Sequence, residues 1–492
     1  MVPNGRYDLP SASETNAWED GMRARSGSLS TAARKLWRSS VLTAAVAAGL
    51  LSFGNVAWAQ EETGEPPQAL RLLKLIPING TATSPNTQMF SFDISFVDPK
   101  NGLYYLADRS NKALDVVDTT GKNAGICGPT DTGPDTLCGQ IGGSSPGQAN
   151  FAGFVPCVPL DGHGANDCAG PDGVAADFPC VFAGDGNSRL LTFNWAVDVT
   201  KVASSLNTGG TTRVDEMALD TVDGLIFAIN NAESPPFGTI ATYNKSTCAL
   251  SNAIKVTFNN ATNGAEQPAW NTVTKAFYVS IPEIGGGGTN HTGAVVQVST
   301  SGAIGAAFPI NFCSPAGLTA GPNGDLLVGC NTVYDTAGNA CVGANSIPGT
   351  TANPVATRPL VCTGIAYPQV VICNPGRGCT PANGSLVSVP GPGGGDEVWF
   401  NSGDNNYYVT GTSNPIGPSL GVVASVVNTV SQQIPTLPAQ AAVSGKNPIG
   451  TAHSVAASAA NNHVYVPLPA NTDYNLNGVS CAQGCIAVFG VQ

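Results

Sequence analysis

Charge is what this chain has least of. Asp, Glu, Lys and Arg make up 11% of its 492 residues, and the 21 basic residues are outnumbered by 33 acidic ones, for a formal net charge of −12. A chain this poor in Lys and Arg cannot neutralise a phosphate backbone or an anionic bilayer, which excludes nucleic acid and anionic membrane as partners. Histidine is scarcer still, at His163, His291, His453 and His463. Long apolar runs are missing too. The run VLTAAVAAGLLSF at 41–53 falls short of the roughly 20 residues a spanning helix needs. No GxSxG elbow, HExxH helix, phosphate loop or nucleotide fingerprint is present, so the chemistries those motifs carry are excluded. The glycine-rich GGSSPG (142–147) and GPGGG (391–395) follow no strand and open no helix, and read as loops.

Glycine (59), proline (36) and cysteine (14) are plentiful, a composition that suits short strands joined by turns. The first 59 residues stand apart. A basic, Ser-rich stretch with Arg34, Lys35 and Arg38 precedes the apolar run, and Ala57-Trp58-Ala59 offers a small-x-small cleavage pattern. This predicts a secretory leader over 1–59 with a long n-region, leaving 60–492 as a single exported domain, periplasmic or secreted, with no membrane span after cleavage. All 14 cysteines follow Ala59. An even number in an exported chain predicts disulfides, and the spacings lack the paired CxxC of a zinc site. Cys127/Cys138, Cys157/Cys168, Cys330/Cys341, Cys362/Cys373 and Cys481/Cys485 are the candidate local pairs.

A short phrase recurs seven times: FDISFV (92–97), PDGVAA (171–176), DEMALD (215–220), EQPAWN (266–271), SPAGLT (314–319), DEVWFN (396–401) and AHSVAA (452–457). Each copy is followed by a turn and an apolar strand: LYYLAD (103–108), CVFAGD (180–185), LIFAIN (225–230), AFYVSI (276–281), DLLVGC (325–330), NYYVTG (406–411) and HVYVPL (463–468). A third strand is visible in every repeat, the fifth being SLVSVP (385–390). Antiparallel units at this period predict an all-β fold, a seven-bladed β-propeller. ALRLLKLIPI (69–78) is expected to close the last blade as its outermost strand, removing a free edge. Two Cys-rich insertions, about 119–170 and 331–384, interrupt the period.

The second column of the phrase is polar: Asp93, Asp172, Glu216, Gln267, Pro315, Glu397 and His453. It predicts a ring of side chains at the mouth of a funnel, on the face that bears the long loops between second and third strands. Four carboxylates facing one another must be protonated or share a cation. Hard oxygen donors suit calcium, and another divalent metal is the alternative. Asp93, Asp172, Glu216 and Glu397 are the expected metal ligands. His453 is the candidate general base, with Glu216 beside it, and Gln267, His163 and His291 are candidates for contacting a small-molecule substrate. His463 is expected on the opposite face.

PDGVAAD (171–177), DEMALD and EQPAW resemble the metal-ligand phrases of the gluconolactonase/senescence-marker-protein propellers. That resemblance implies a metal at this repeat position and hydrolysis of a lactone or ester above it. The chain departs from that family in repeat number, seven against six, and in having no Asn in the column. The strand pattern also resembles the seven-bladed surface propellers with YVTN-type repeats, many of which are binding proteins. Three functions follow: a metal-dependent lactonase or esterase, a non-catalytic propeller binding a ligand or envelope partner, and a propeller lyase or isomerase. A monomer is expected in each case.

Overall fold

The computed structural model describes residues 69–78, 80, 88–128, 133–143, 150–154, 157, 166–287, 291–341, 362, 364–365, 367, 369–392, 394–411, 418–436, 453–471 and 474–491. They belong to one compact unit, Glu65–Gln492. The expected leader lies outside them. No helix among the described residues is long and apolar enough to cross a membrane.

Nearly all the regular structure is antiparallel β. Repeat one is Ser95–Val97, Leu103–Asp108, Ala113–Asp118 and Thr136–Gly142; repeat two is Val174–Asp177, Cys180–Asp185, Arg189–Asn194 and Ser204–Asn207. Repeat three is Met217–Asp220, Leu225–Asn230, Phe237–Tyr243 and Leu250–Thr257. Repeats four (from Pro268–Asn271 to Ile304–Asn311) and five (from Cys313–Ala320 to Leu386–Pro390) are joined into one eight-stranded sheet by a parallel pairing of Thr292 with Cys313. Repeat six is Gly395–Asn401, Asn406–Gly411, Ser419–Ala424 and Thr429–Pro435. The last sheet joins Ala456–Ala457, Val464–Leu468 and Cys485–Gly490 to Arg71–Pro77, which pairs antiparallel with Cys485–Gly490.

The second and third strands show no polar/apolar alternation. Leu103–Asp108, Cys180–Asp185 and Ala276–Ile281 are buried at every position, because each sheet packs against a neighbour on both faces. Seven apolar cores result, one at each junction between successive repeats, and the core holding Tyr104, Val117, Tyr465 and Val488 joins repeat seven to repeat one. The first strands likewise touch in cyclic order, Ala456–Ala457 meeting Ser95–Val97. The outer fourth strands are largely exposed, as in Leu250–Thr257 and Ile304–Asn311.

In repeats one, three, four and six the turn after the first strand is built by an Asx residue. Asp98 Oδ1 accepts from Lys100 N, Asp220 Oδ1 from Val222 N, Asn271 Oδ1 from Val273 N and Asn401 Oδ1 from Gly403 N. A left-handed residue ends these turns, Gly102 (φ 70°), Gly224 (φ 70°), Lys275 (φ 54°) and Asn405 (φ 58°), the conformation such hairpin loops require.

Three expectations need correction. The third strand of repeat five is Gln369–Cys373, inside the supposed insertion 331–384, and 386–390 is the fourth. The supposed insertion 119–170 contains a short helix, Ala124–Cys127, and the fourth strand of repeat one, Thr136–Gly142. The seven disulfides include Cys127–Cys138, Cys157–Cys168 and Cys481–Cys485 as expected. The others are Cys180–Cys248, Cys313–Cys330, Cys341–Cys362 and Cys373–Cys379, so Cys330/Cys341 and Cys362/Cys373 are not pairs. Cys180–Cys248 ties repeat two to the turn after the third strand of repeat three, a distance in sequence that local spacing does not reveal.

Candidate functional site

Counting back five residues from the Asx turns aligns the repeats differently from the phrase. Asp98, Asp177, Asp220, Asn271, Asn401 and Ser458 correspond to Asp93, Asp172, Asp215, Glu266, Asp396 and His453. Backbone bonds agree. Asp93 N donates to Ala107 O, Asp172 N to Gly184 O, Asp215 N to Ile229 O and Glu266 N to Ser280 O. The expected single column is therefore two. The outer ring is Asp93, Asp172, Asp215, Glu266, Asp396 and His453, and the inner ring, one residue further along each strand, holds Ile94, Gly173, Glu216, Gln267, Glu397 and Ser454. Repeat five supplies Ala316 and Gly317 rather than a polar group. A one-residue slip in a strand moves a side chain to the other face, so Glu216 and Glu397 stand in a different ring from Asp93 and Asp172.

The outer ring is a chain of alternating charge. His453 bridges Asp396 (Nδ1, 2.9 Å) and Asp93 (Nε2, 2.7 Å). Arg109, from the end of the second strand of repeat one, pairs with Asp93 at 3.1 Å and Asp172 at 2.8 Å, and also donates to Phe92 O. Arg213 holds Asp215 at 2.7 Å and 2.8 Å through Nη2 and Nε. Burial works against the charge of Asp93, but Arg109 and His453 outweigh it and hold the carboxyl below the usual range. Asp172, fully buried, is pushed up by burial against the pull of Arg109 and Arg213. Burial also raises Asp215 to about 6 despite Arg213. Glu266, beside Asn231, is raised to about 8 by burial and by the charges of Asp215 and Asp396. For His453, burial favours the neutral ring, yet Asp396 and Asp93 raise it well above the ordinary imidazole value. Both its nitrogens face carboxylates, an arrangement that favours the protonated ring over the free base the general-base role needs.

The inner ring is different. Gln267 Oε1 accepts from Leu318 N (2.7 Å) and Val398 N (3.4 Å), stitching repeats four, five and six together. Glu397 Oε2 accepts from Ser454 Oγ at 2.5 Å. Glu397 Oε1 and Glu216 Oε2 are buried without a hydrogen-bond partner among the described residues. Burial raises both carboxyls well above the usual range; for Glu216, Glu266 and Asp215 add to the effect, and for Glu397, Asp93 adds while His453 opposes.

Of the four carboxylates expected to hold calcium, three fall into two candidate groups rather than one. Oxygen and nitrogen atoms of Asp93, Glu397 and His453 lie within 4.8 Å of one another, as do those of Asp93, Asp172 and Asp215. Yet Arg109 stands between Asp93 and Asp172 where a cation would, and both His453 nitrogens are engaged. Glu216, Glu397 and Asp172 each keep a bare buried oxygen, the kind of donor a cation takes, and Glu216 falls in neither of these groups. Of the remaining candidates, His291 stacks on Tyr334, with centroids 4.5 Å apart, and His163 lies outside the described residues. His463 pairs with Asp135 at 3.0 Å. Sequence reading missed Arg109, Arg213, Asp215, Glu266 and Asp396. Arg213 and Arg109 belong to no column, and the three acids sit one residue before the column as the phrase drew it.

No protein-family model matches the chain, and no curated protein does. Solved structures similar to it include the WD40 β-propeller domain of Doa1 (8% identity, 86% of this chain and 98% of that one, TM-score 0.49). Two more are hydrazine synthase of Kuenenia stuttgartiensis (11%, 79% and 95%, 0.48) and a chain of a nidogen/laminin complex (12%, 54% and 79%, 0.36).

Proposed function

We propose that the chain is an exported, seven-bladed β-propeller that binds a divalent cation in its inner ring and a small-molecule ligand at the mouth above it. Seven apolar junctions in cyclic order support the blade count. Seven disulfides suit an oxidising compartment. The observation that carries the cation is the pair of bare buried oxygens, Glu216 Oε2 and Glu397 Oε1. A buried carboxyl oxygen with no donor costs free energy unless a proton or a cation meets it. Asp93 and Asp172 have Arg109, although Asp172 Oδ2 is also bare; Glu397 has His453 within 4.8 Å, and Glu216 has no ion pair among the described residues. Oxygen donors favour calcium. When bound, such an ion supplies a positive charge that can polarise a ligand carbonyl. Glu216 and Glu397 would hold it, and Gln267 ties the blade that carries Glu397 to its two preceding neighbours.

Metal analysis of the purified protein, with melting in calcium and in chelator, tests this. A native-state cation raises the melting temperature by mass action. Bound calcium and a chelator-dependent fall are expected; no metal and no shift on adding calcium overturn the reading.

Hydrolysis of a lactone or ester is a second reading, favoured by Glu266. It is partly exposed, and a carboxyl at about 8 can exchange a proton near neutrality. A lactone and aryl-ester screen should then show turnover that Glu266→Gln abolishes. Turnover unchanged in that variant removes Glu266 from the chemistry.

A further inference from the structure

Ser454 Oγ lies 2.5 Å from Glu397 Oε2 and 2.7 Å from Ser95 Oγ. All three side chains are buried, and they come from repeats seven, six and one. A serine hydroxyl has one proton to give. Ser454 Oγ is placed to donate to Ser95 Oγ as well as to Glu397 Oε2, so the hydroxyl bridges the two and its one proton is shared between them.

We propose that Ser95 and Ser454 form a hydroxyl relay that positions Glu397, with Ser454 bridging Ser95 and Oε2 and leaving Oε1 to face the cation of the inner ring. The role of Oε1 rests on the cation reading above; the relay itself does not. A donor held on one carboxylate oxygen fixes the carboxylate plane and thereby the direction of the other oxygen. The outer partner of a metal-binding carboxylate has this effect, and its loss typically lowers affinity about 10–100-fold. Chain closure also bears on the site, because Ser95 and Ser454 stand on the two repeats that meet where the ends of the domain join.

Two measurements on the full-length protein separate the relay from the cation. In chelator, urea midpoints of Ser454→Ala, Glu397→Gln and the double variant form a cycle. The relay predicts that the double variant shifts by clearly less than the two single shifts combined, and additive shifts overturn it whatever calcium does. Ser95→Ala replaces Ser454→Ala in the same cycle if the latter does not fold. Calorimetric titration with calcium chloride is the second measurement. Ser95→Ala and Ser454→Ala are expected to bind about 10-fold or more weakly than wild type, with Ser454→Thr restoring affinity. Wild-type affinity in both alanine variants overturns the positioning role. Coupling in the cycle with no calcium binding by wild type keeps the relay and overturns the cation.

Discussion

The outer and inner rings sit one residue apart on the same strands, yet they handle charge in opposite ways. In the outer ring Asp396, His453, Asp93, Arg109 and Asp172 alternate in sign through contacts of 2.7–3.1 Å. In the inner ring Glu216 and Glu397 are buried with a bare oxygen each; Ser454 donates to Glu397, and His453 lies within 4.8 Å of it. The lesson is that acidity alone does not mark a cation site. In the outer ring the cations are the protein's own, brought in from the end of a second strand and from the residues just ahead of a first strand. Among the described residues no ion pair reaches Glu216, and that is where an external ion has something to do.

The largest effect expected from this contrast is that of Arg109→Met. Removing the shared guanidinium leaves Asp172 buried without its ion pair and Asp93 with His453 alone, at a cost of about 3–5 kcal/mol, read as a fall in the urea midpoint. Glu216→Gln, measured in chelator, should cost far less or stabilise, because it replaces a buried carboxyl that lacks a partner. Equal losses in the two variants would erase the distinction between the rings.

A smaller effect concerns pH. Glu266 at about 8 and Asp215 at about 6 are raised above their unfolded values. A raised acid binds its proton more tightly in the folded state. Its stabilisation is therefore complete below the unfolded carboxyl values, about 4, and is lost as pH climbs through about 6 for Asp215 and about 8 for Glu266. His453, also raised, acts in the same direction. The melting temperature in chelator should be higher at pH 5.5 than at pH 8.5, and Glu266→Gln should flatten the upper part of that slope. A protein more stable at pH 8.5 would show that these acids are ionised at no cost.

The strands were largely legible. LYYLAD, CVFAGD, LIFAIN, AFYVSI and NYYVTG occupy the ranges their composition marks, since burial on both faces demands continuous apolar runs. Fourth strands such as Leu250–Thr257 were not, because exposure on the rim leaves them a mixed composition. The site was half legible. The phrase located the mouth of each repeat, but it was anchored on acidic letters rather than on the Asx turn, which sets register. In repeats one, two and seven it therefore fell one residue away from its place in three, four and six, and two rings looked like one. Arg109 and Arg213 lie outside the phrase altogether, so the neutralisation of the outer ring was invisible, although Arg213 stands only two residues before Asp215.

The most direct test of where the cation goes is anomalous scattering from crystals soaked in a lanthanide that substitutes for calcium. A peak beside Glu216 and Glu397, with Arg109 still between Asp93 and Asp172, is the predicted result. A peak between Asp93 and Asp172 with Arg109 displaced, or no peak at either ring, would contradict the assignment of the cation to the inner ring.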